Sequence, residues 1–300
     1  MTSTVWDNAC LLEAIAGSDG TDDRQPNLIS PETLKYSKHL QTFLQQTADA
    51  EKPLLGFRIG VLKEGLAMPQ LDVNIDKAIR SAVSDLAALG AAVVEVSVPE
   101  HAKICTPWTC MQAVAGGRDG LLGDQTGRKG LQMTDRAGKY QSYISQARFD
   151  SLGPGAQNLY LKYLYVVDRH GTLINAKASN VIRRQSRAYD AVLVSLDALV
   201  MPTIPFPASK IFQEGEEASP LERLKRVAGT ILNTAPFNAT GHPALSLPVG
   251  FVPAPEDKTA RLPAALQIVA KAFDEVTCLK IAAAWERKSE WRKLGFGCAV

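Results

Sequence analysis

Apolar residues spaced three and four apart appear from the start of the chain. Val5, Trp6, Ala9, Leu12, Ile15 and Ala16 share one face of a predicted helix over residues 4–16, which Gly17 ends. The turn-rich GSDGTDDRQPN follows, and Pro31 opens a second, weaker helical pattern running to about Thr47. The period then changes. Residues 57–62 form a short apolar run, and residues 73–89 place Ile75, Ile79, Val83, Leu86 and Leu89 at helical spacing. Gly90 stops that helix, and the valine-rich run 91–98 ends at Pro99. Strand, amphipathic helix and strand in this order predict a βαβ unit, hence a parallel pair with a right-handed crossover. The fold class is therefore α/β, with a β-sheet flanked by helices.

From 103 to 190 the pattern is mostly helical, interrupted by glycines between 116 and 130 and by GPG at 153–155. A long helix over about 160–190 leads to a strand at 198–201, which Pro202 stops. A helix at 221–232, strands at 244–247 and 263–269, and a last helix at 274–288 complete the reading. The stretch QEGEEASP at 213–220 reads as a solvated loop, and no internal repeat or low-complexity linker divides the chain. Residues 1–300 are expected to form a single domain.

Composition narrows the class. With 46% hydrophobic and 21% charged residues, the chain is neither disordered nor fibrous. Its 33 Lys+Arg against 31 Asp+Glu are interspersed, so no basic face marks a nucleic-acid partner. Apolar runs fall far short of the roughly 18 residues a membrane span needs. The N-terminal segment lacks the positive region of a secretory signal, so a cytoplasmic location is expected. Cys10, Cys105, Cys110, Cys278 and Cys298 are scattered and odd in number, which reads as reduced thiols used as small hydrophobes. His101, Cys105 and Cys110 lack zinc-site spacing and a fourth ligand, so no metal is expected.

Familiar catalytic patterns are missing. Neither G-x-x-x-x-G-K-[ST] nor G-x-G-x-x-G occurs, and the glycines between 116 and 130 read as a flexible connection. No G-x-S-x-G elbow or Ser-x-x-Lys pair is present. Ser246 falls inside a predicted strand, where a small hydroxyl is packing, and His242 reads as a loop histidine with no evident partner. The acid pairs Asp22–Asp23 and Glu216–Glu217 sit in turns and read as solvated. From the residues alone, the chain is an α/β protein without a complete catalytic constellation.

Three collinear blocks add a resemblance. The opening TSTVWDNACLLEAIAGSDGTDDRQP, the block YDAVLVSLDALVMPTIPFPA, and APFNATGHPALSLPVGF followed by LPAALQIVAKAFDEVTCLKIAAAWE resemble segments of the amidase-signature family. The family patterns are D-x-L-x-x-P-T-x-P for the second block, and N-x-x-G-x-P-A-x-S-x-P-x-G with L-P-x-G-L-Q-I-x-G-x-x-F-D-E for the third. Two family glycines are Ala265 and Ala270 here, and the added methyls bear on close packing.

The resemblance implies a mixed sheet flanked by helices, forming the C-terminal portion of the amidase-signature fold. It implies hydrolysis of a carboxylic amide to a carboxylate and ammonia or an amine through an acyl-serine, without metal or cofactor. It places Thr203, Ile204 and Pro205 on a loop facing the acyl side of a small-molecule amide. It places Phe237, Asn238, Thr240 and Gly241 on a second loop near the catalytic floor. The family's serine nucleophile, cis serine and lysine base come before the opening block, so the resemblance is to a domain truncated at its N-terminus, marginal in isolation and with exposed apolar faces. The resemblance is closer to small-amide amidases than to transamidating subunits. Two alternatives stand beside it: a catalytically inactive amidase-like protein that binds a ligand or partner, and half of a split enzyme completed by an N-terminal chain. A homodimer is a further expectation by analogy.

Overall fold

The structure, a computed structural model, describes residues 1–19, 29–124, 134–137, 143–211, 218–257 and 259–289. Helix α1 (Val5–Ile15) is capped by Thr4, whose hydroxyl accepts from the Asp7 N–H, and α2 (Tyr36–Gln46) follows. The second helix thus starts at Tyr36, five residues beyond Pro31; residues 31–34 are a turn. The βαβ expectation holds. Strand β1 (Arg58–Leu62), the single turn α3 (Lys63–Leu66), helix α4 (Val73–Ala88) and strand β2 (Ala92–Val96) come in order, and β1 and β2 pair in parallel. Gly90 at φ +101° makes the reversal after α4, where a Cβ would lie 2.8 Å from the Lys52 Cβ.

A 3₁₀ turn (Pro99–Lys103) leads into α5 (Cys105–Val114), which continues as a π-helical segment (Ala115–Leu121). The first glycines of the 116–130 stretch are therefore helical, which corrects the expected flexible connection; residues 125–130 lie outside the described residues. The short α6 (Thr134–Ala137) and α7 (Gln146–Ser151) precede two long helices, α8 (Pro154–His170) and α9 (Leu173–Leu193). The single helix expected over 160–190 is two. Gly171, at φ +64°, breaks the backbone between them, and Pro154 starts α8 because its missing N–H is not needed at a helix's first position.

Strand β3 (Ala198–Pro202) is followed by α10 (Pro220–Arg226) and α11 (Ala235–Thr240), then by strands β4 (Ala244–Pro253) and β5 (Arg261–Ala270) and helix α12 (Glu275–Lys288). Two expectations change here. Helix α10 ends at Arg226 and gives way to turns, and β4 runs to Pro253 rather than stopping at 247. Beyond the irregularity at Pro248/Gly250, β4 and β5 remain a two-stranded ribbon. Pro263 is tolerated in β5 because β3 reaches only as far as Leu266, leaving that edge unpaired. Most of QEGEEASP lies outside the described residues; its last residues cap and start α10.

The sheet order is β2-β1-β3-β5-β4, with β1, β2 and β3 parallel and β5 antiparallel to both β3 and β4. Central β3 is buried throughout, as a strand covered on both faces must be. Its alternation sends Ala198 and Val200 into one core and Leu199 and Met201 into the other. On the first face α4 and α12 cover β4 and β5, with α1 and α2 packed against α12. Trp285, 1% exposed, and Ile79, Leu86 and Ile281 fill that core. On the second face α9 and α11 close over Leu62, Leu199, Met201 and Val269, with α5 packed against both helices. Each such fully buried apolar side chain contributes about 1.5–3 kcal/mol.

Candidate functional site

The segment after β3 is held at each step. Thr203 donates its N–H to Ala265 O at 2.9 Å, extending the sheet by one residue. Asp72, whose carboxylate caps α4, donates its N–H to Pro205 O at 2.8 Å. Between these anchors Thr203 is half-buried, Ile204 is exposed and Pro205 is buried. The Thr203 and Ser246 hydroxyls meet at 2.9 Å, so Ser246, an exposed residue of β4, has a side-chain partner instead of being packed in the strand.

Phe237, Asn238, Thr240 and Gly241, expected on a loop, lie on α11 (Ala235–Thr240) and on Gly241, its left-handed cap at φ +78°. The reason is local. Pro236 sits in the first turn, where proline fits, and Gly241 supplies the positive φ that ends a helix. Phe237 is 3% exposed and packs 5.2 Å from the Tyr189 ring; Asn238 and Gly241 are exposed, and Thr240 is half-buried. Phe237 therefore belongs to the core that supports this segment.

Beneath both segments runs a buried polar chain. Asn233 donates from Nδ2 to Pro202 O at 2.7 Å and to Gly65 O at 3.1 Å, while its Oδ1 meets His101 Nε2 at 2.9 Å. Tyr189 Oη lies 2.7 Å from His101 Nδ1. These contacts fix every proton. Both Asn233 amide hydrogens are used, so Oδ1 accepts and His101 must donate from Nε2; Nδ1 then accepts from the Tyr189 hydroxyl. Gln267, facing Ser246 across the β4–β5 ladder, donates to Asn233 O at 2.8 Å. His101, Tyr189, Asn233 and Gln267 are all at most 3% exposed. Burial pushes the His101 pKa down, partly opposed by the Asn233 hydrogen bond and the Glu64 charge, and it pushes the Tyr189 phenol up.

His242 has two partners, which corrects its reading as a loop histidine without one. Its Nδ1 lies 2.9 Å from Thr240 Oγ1, and its Nε2 lies 3.2 Å from Asp190 Oδ1. It is 5% exposed, with the Tyr189 ring 5.7 Å away. Burial lowers its pKa, with Asp190 opposing. Tyr189 and Asp190, neighbours on α9, thus begin two separate chains. One reaches the Pro202 carbonyl and the other reaches Thr240.

Residue types alone do not single out Asn233, Gln267, Tyr189 or Asp190. Tyr189 and Asp190 lie in the block beginning YDAVLV, and only adjacency in that block points toward them. An open groove of about 330 Å³ lies elsewhere, between α4 and the β1–β2 edge, lined by Val61, Arg80, Val83, Val93 and Glu95 among others. None of its lining residues falls in 202–205 or 235–242. Among the described residues no cluster of three His, Cys, Asp or Glu is placed to hold a metal ion. Cys10 is exposed, Cys278 is buried, and Cys105 and Cys110 are intermediate, all as free thiols; Cys298 lies outside the described residues. Asp22, Asp23, Glu216 and Glu217 also lie outside the described residues. Among the described residues no helix is long and apolar enough to cross a membrane.

Comparison with known proteins agrees with this architecture. The chain is 30% identical over 291 residues to the enantioselective amidase of Rhodococcus rhodochrous, covering 94% of this chain and 51% of that protein. It is 31% identical over 294 residues to a glutamyl-tRNA(Gln) amidotransferase subunit of Geobacillus kaustophilus, covering 98% and 55%. The chain thus spans about half the length of these relatives. Near-equal identity to both kinds leaves the expected preference for small-amide amidases without support from likeness alone. Among solved structures, the corresponding glutamyl-tRNA(Gln) amidotransferase subunit of Thermotoga maritima superposes with a TM-score of 0.63 at 23% identity, covering 96% of this chain and 52% of its own. A 6-aminohexanoate cyclic dimer hydrolase gives 0.65 at 20% identity, covering 98% and 55%. These two establish the fold, a mixed sheet flanked by helices. The Amidase family profile matches residues 1–279, and the chain belongs to the amidase-signature family.

Proposed function

We propose that this chain forms the substrate-side part of an amidase-type hydrolase, which converts a small carboxylic amide and water to a carboxylate and ammonia or an amine. In this reading a serine oxygen attacks the amide carbonyl and gives its proton to a base. The C–N bond breaks as the amine takes up that proton, and water then cleaves the acyl-serine. The serine and its base come from polypeptide N-terminal to the matched blocks, in the same chain or in a complementing one. The amide sits against Thr203, Ile204 and Pro205 on one side and against Asn238, Thr240 and Gly241 on the other, with Phe237 packed behind. Neither metal nor cofactor takes part. The protein works in the cytoplasm, as a homodimer or with that complementing chain.

One observation carries the reading. Both surface segments are tied to α9 by hydrogen-bond chains that start from adjacent residues, a buried one from Tyr189 and a part-buried one from the exposed Asp190 through the buried His242, and together they support the positioning role that a substrate-side surface needs. The test is to incubate the protein with a primary amide and hydroxylamine, alone and with a complementing N-terminal chain. Hydroxamate together with ammonia is the expected result, since hydroxylamine captures an acyl-enzyme. Absence of both products in both incubations overturns the proposal.

A further inference from the structure

The Asp190–His242–Thr240 chain has a consequence for the polarity of the site. Asp190 offers a carboxylate, which only accepts, so the proton on His242 sits on Nε2. His242 is 5% exposed and burial holds its pKa below the ordinary histidine value, so at neutral pH the singly protonated ring is favoured and, with its proton on Nε2, Nδ1 carries a lone pair. The contact at 2.9 Å must then be donated by the Thr240 hydroxyl. With its one proton committed to His242, the threonine oxygen has only acceptor capacity left. We propose that Asp190 and His242 are positioning residues that hold Thr240 as a hydrogen-bond acceptor in the site, so that this position selects substrates bringing an N–H. The inference rests on the amidase reading for its substrate. Its proton placement rests on the two contacts together with the single protonation that burial favours for His242.

Two near-isosteric substitutions separate this role from simple anchoring. An asparagine at 242 can place its Oδ1 where Nδ1 was and still accept from Thr240, but it loses Asp190. A glutamine can place its Nε2 where the imidazole Nε2 was and still donate to Asp190, but it loses the Thr240 acceptor. If His242 merely ties the start of β4 to α9, His242→Gln is the milder change. If it orients Thr240, His242→Asn is the milder one.

The experiment has two parts. Nitrogen NMR on the chain reads the His242 tautomer at neutral pH. Protonation at Nε2 alone is expected, and protonation at Nδ1 overturns the proposal. Turnover is then measured for a primary amide and for the ester of the same acyl group, with the protein in whichever form hydrolyses amides. Thr240→Val is expected to lose about tenfold in kcat/KM on the amide, the size of one hydrogen bond, and less than about twofold on the ester. His242→Gln is expected to match Thr240→Val, with His242→Asn losing less than either. Equal losses on amide and ester, or His242→Gln milder than His242→Asn, overturn the proposal. If the unsubstituted protein turns over neither substrate, the amidase reading fails, the selectivity falls with it, and the tautomer alone decides the proton placement.

Discussion

Removing the Asn233 side chain is the sharpest perturbation of the scaffold under the site. Asn233→Ala deletes the hydrogen bonds to Pro202 O at 2.7 Å, Gly65 O at 3.1 Å and His101 Nε2 at 2.9 Å, all in fully buried surroundings. Its backbone carbonyl still accepts from Gln267, so the loss is confined to the amide. Each of the three orphaned partners costs about 1–3 kcal/mol when left dry. Some relief follows if water enters the space the amide leaves, so the summed loss is about 3–5 kcal/mol. Against a total stability of about 5–15 kcal/mol, that is a large fraction. Urea unfolding of the parent and the variant, read by tryptophan fluorescence, gives the difference directly. A variant within about 1 kcal/mol of the parent at unchanged slope refutes the reasoning, because it means the chain from Tyr189 to Pro202 does not carry the segment it touches.

Three further outcomes follow from particular contacts. Thr203→Val and Ser246→Ala each remove one hydroxyl of a largely exposed pair, so each costs under about 1 kcal/mol in unfolding while weakening substrate binding, read as a rise in KM. Burial depresses the pKa values of His101 and His242 in the fold, so below the ordinary histidine range the unfolded chain binds more protons. Stability then falls as pH drops from about 6.5 toward the depressed values, and His101→Gln flattens that slope; an unchanged slope in unfolding series between pH 7 and 5 contradicts this. Trp285→Ala, at a position 1% exposed, costs about 3–5 kcal/mol and lowers Tm, whereas a shift below about 2 °C contradicts this packing.

Some of this molecule is legible in its sequence. The βαβ unit shows because a short apolar run gives way to helical spacing and then to a valine-rich run, and because Gly90 and Pro99 punctuate it. The break at Gly171 is harder to see, because helical periodicity continues on both sides of it and a lone glycine is tolerated in helices. Helix α11 is only six residues long between Thr234 and Gly241, too short for a period to emerge, so it reads as a loop. The polar chain is invisible for a different reason. His101 meets Tyr189 across 88 positions and Asn233 across 132, and Asn233 reaches Gly65 across 168. Spacing rules work within one element, whereas these partners are brought together by the sheet order. The resemblance named Thr203 and Thr240, but what holds them became visible only in three dimensions.

The central claim is that the segments Thr203–Pro205 and Asn238–Gly241 face an amide substrate. It is tested most directly by photolabelling the protein with a primary amide that carries a diazirine in its acyl group, followed by peptide mapping. Label is expected on peptides containing Thr203–Ile204–Pro205 and Asn238–Gly241, suppressed by excess unlabelled amide. Label confined to the groove beside Arg80 and Val93, or spread without competition, contradicts the claim.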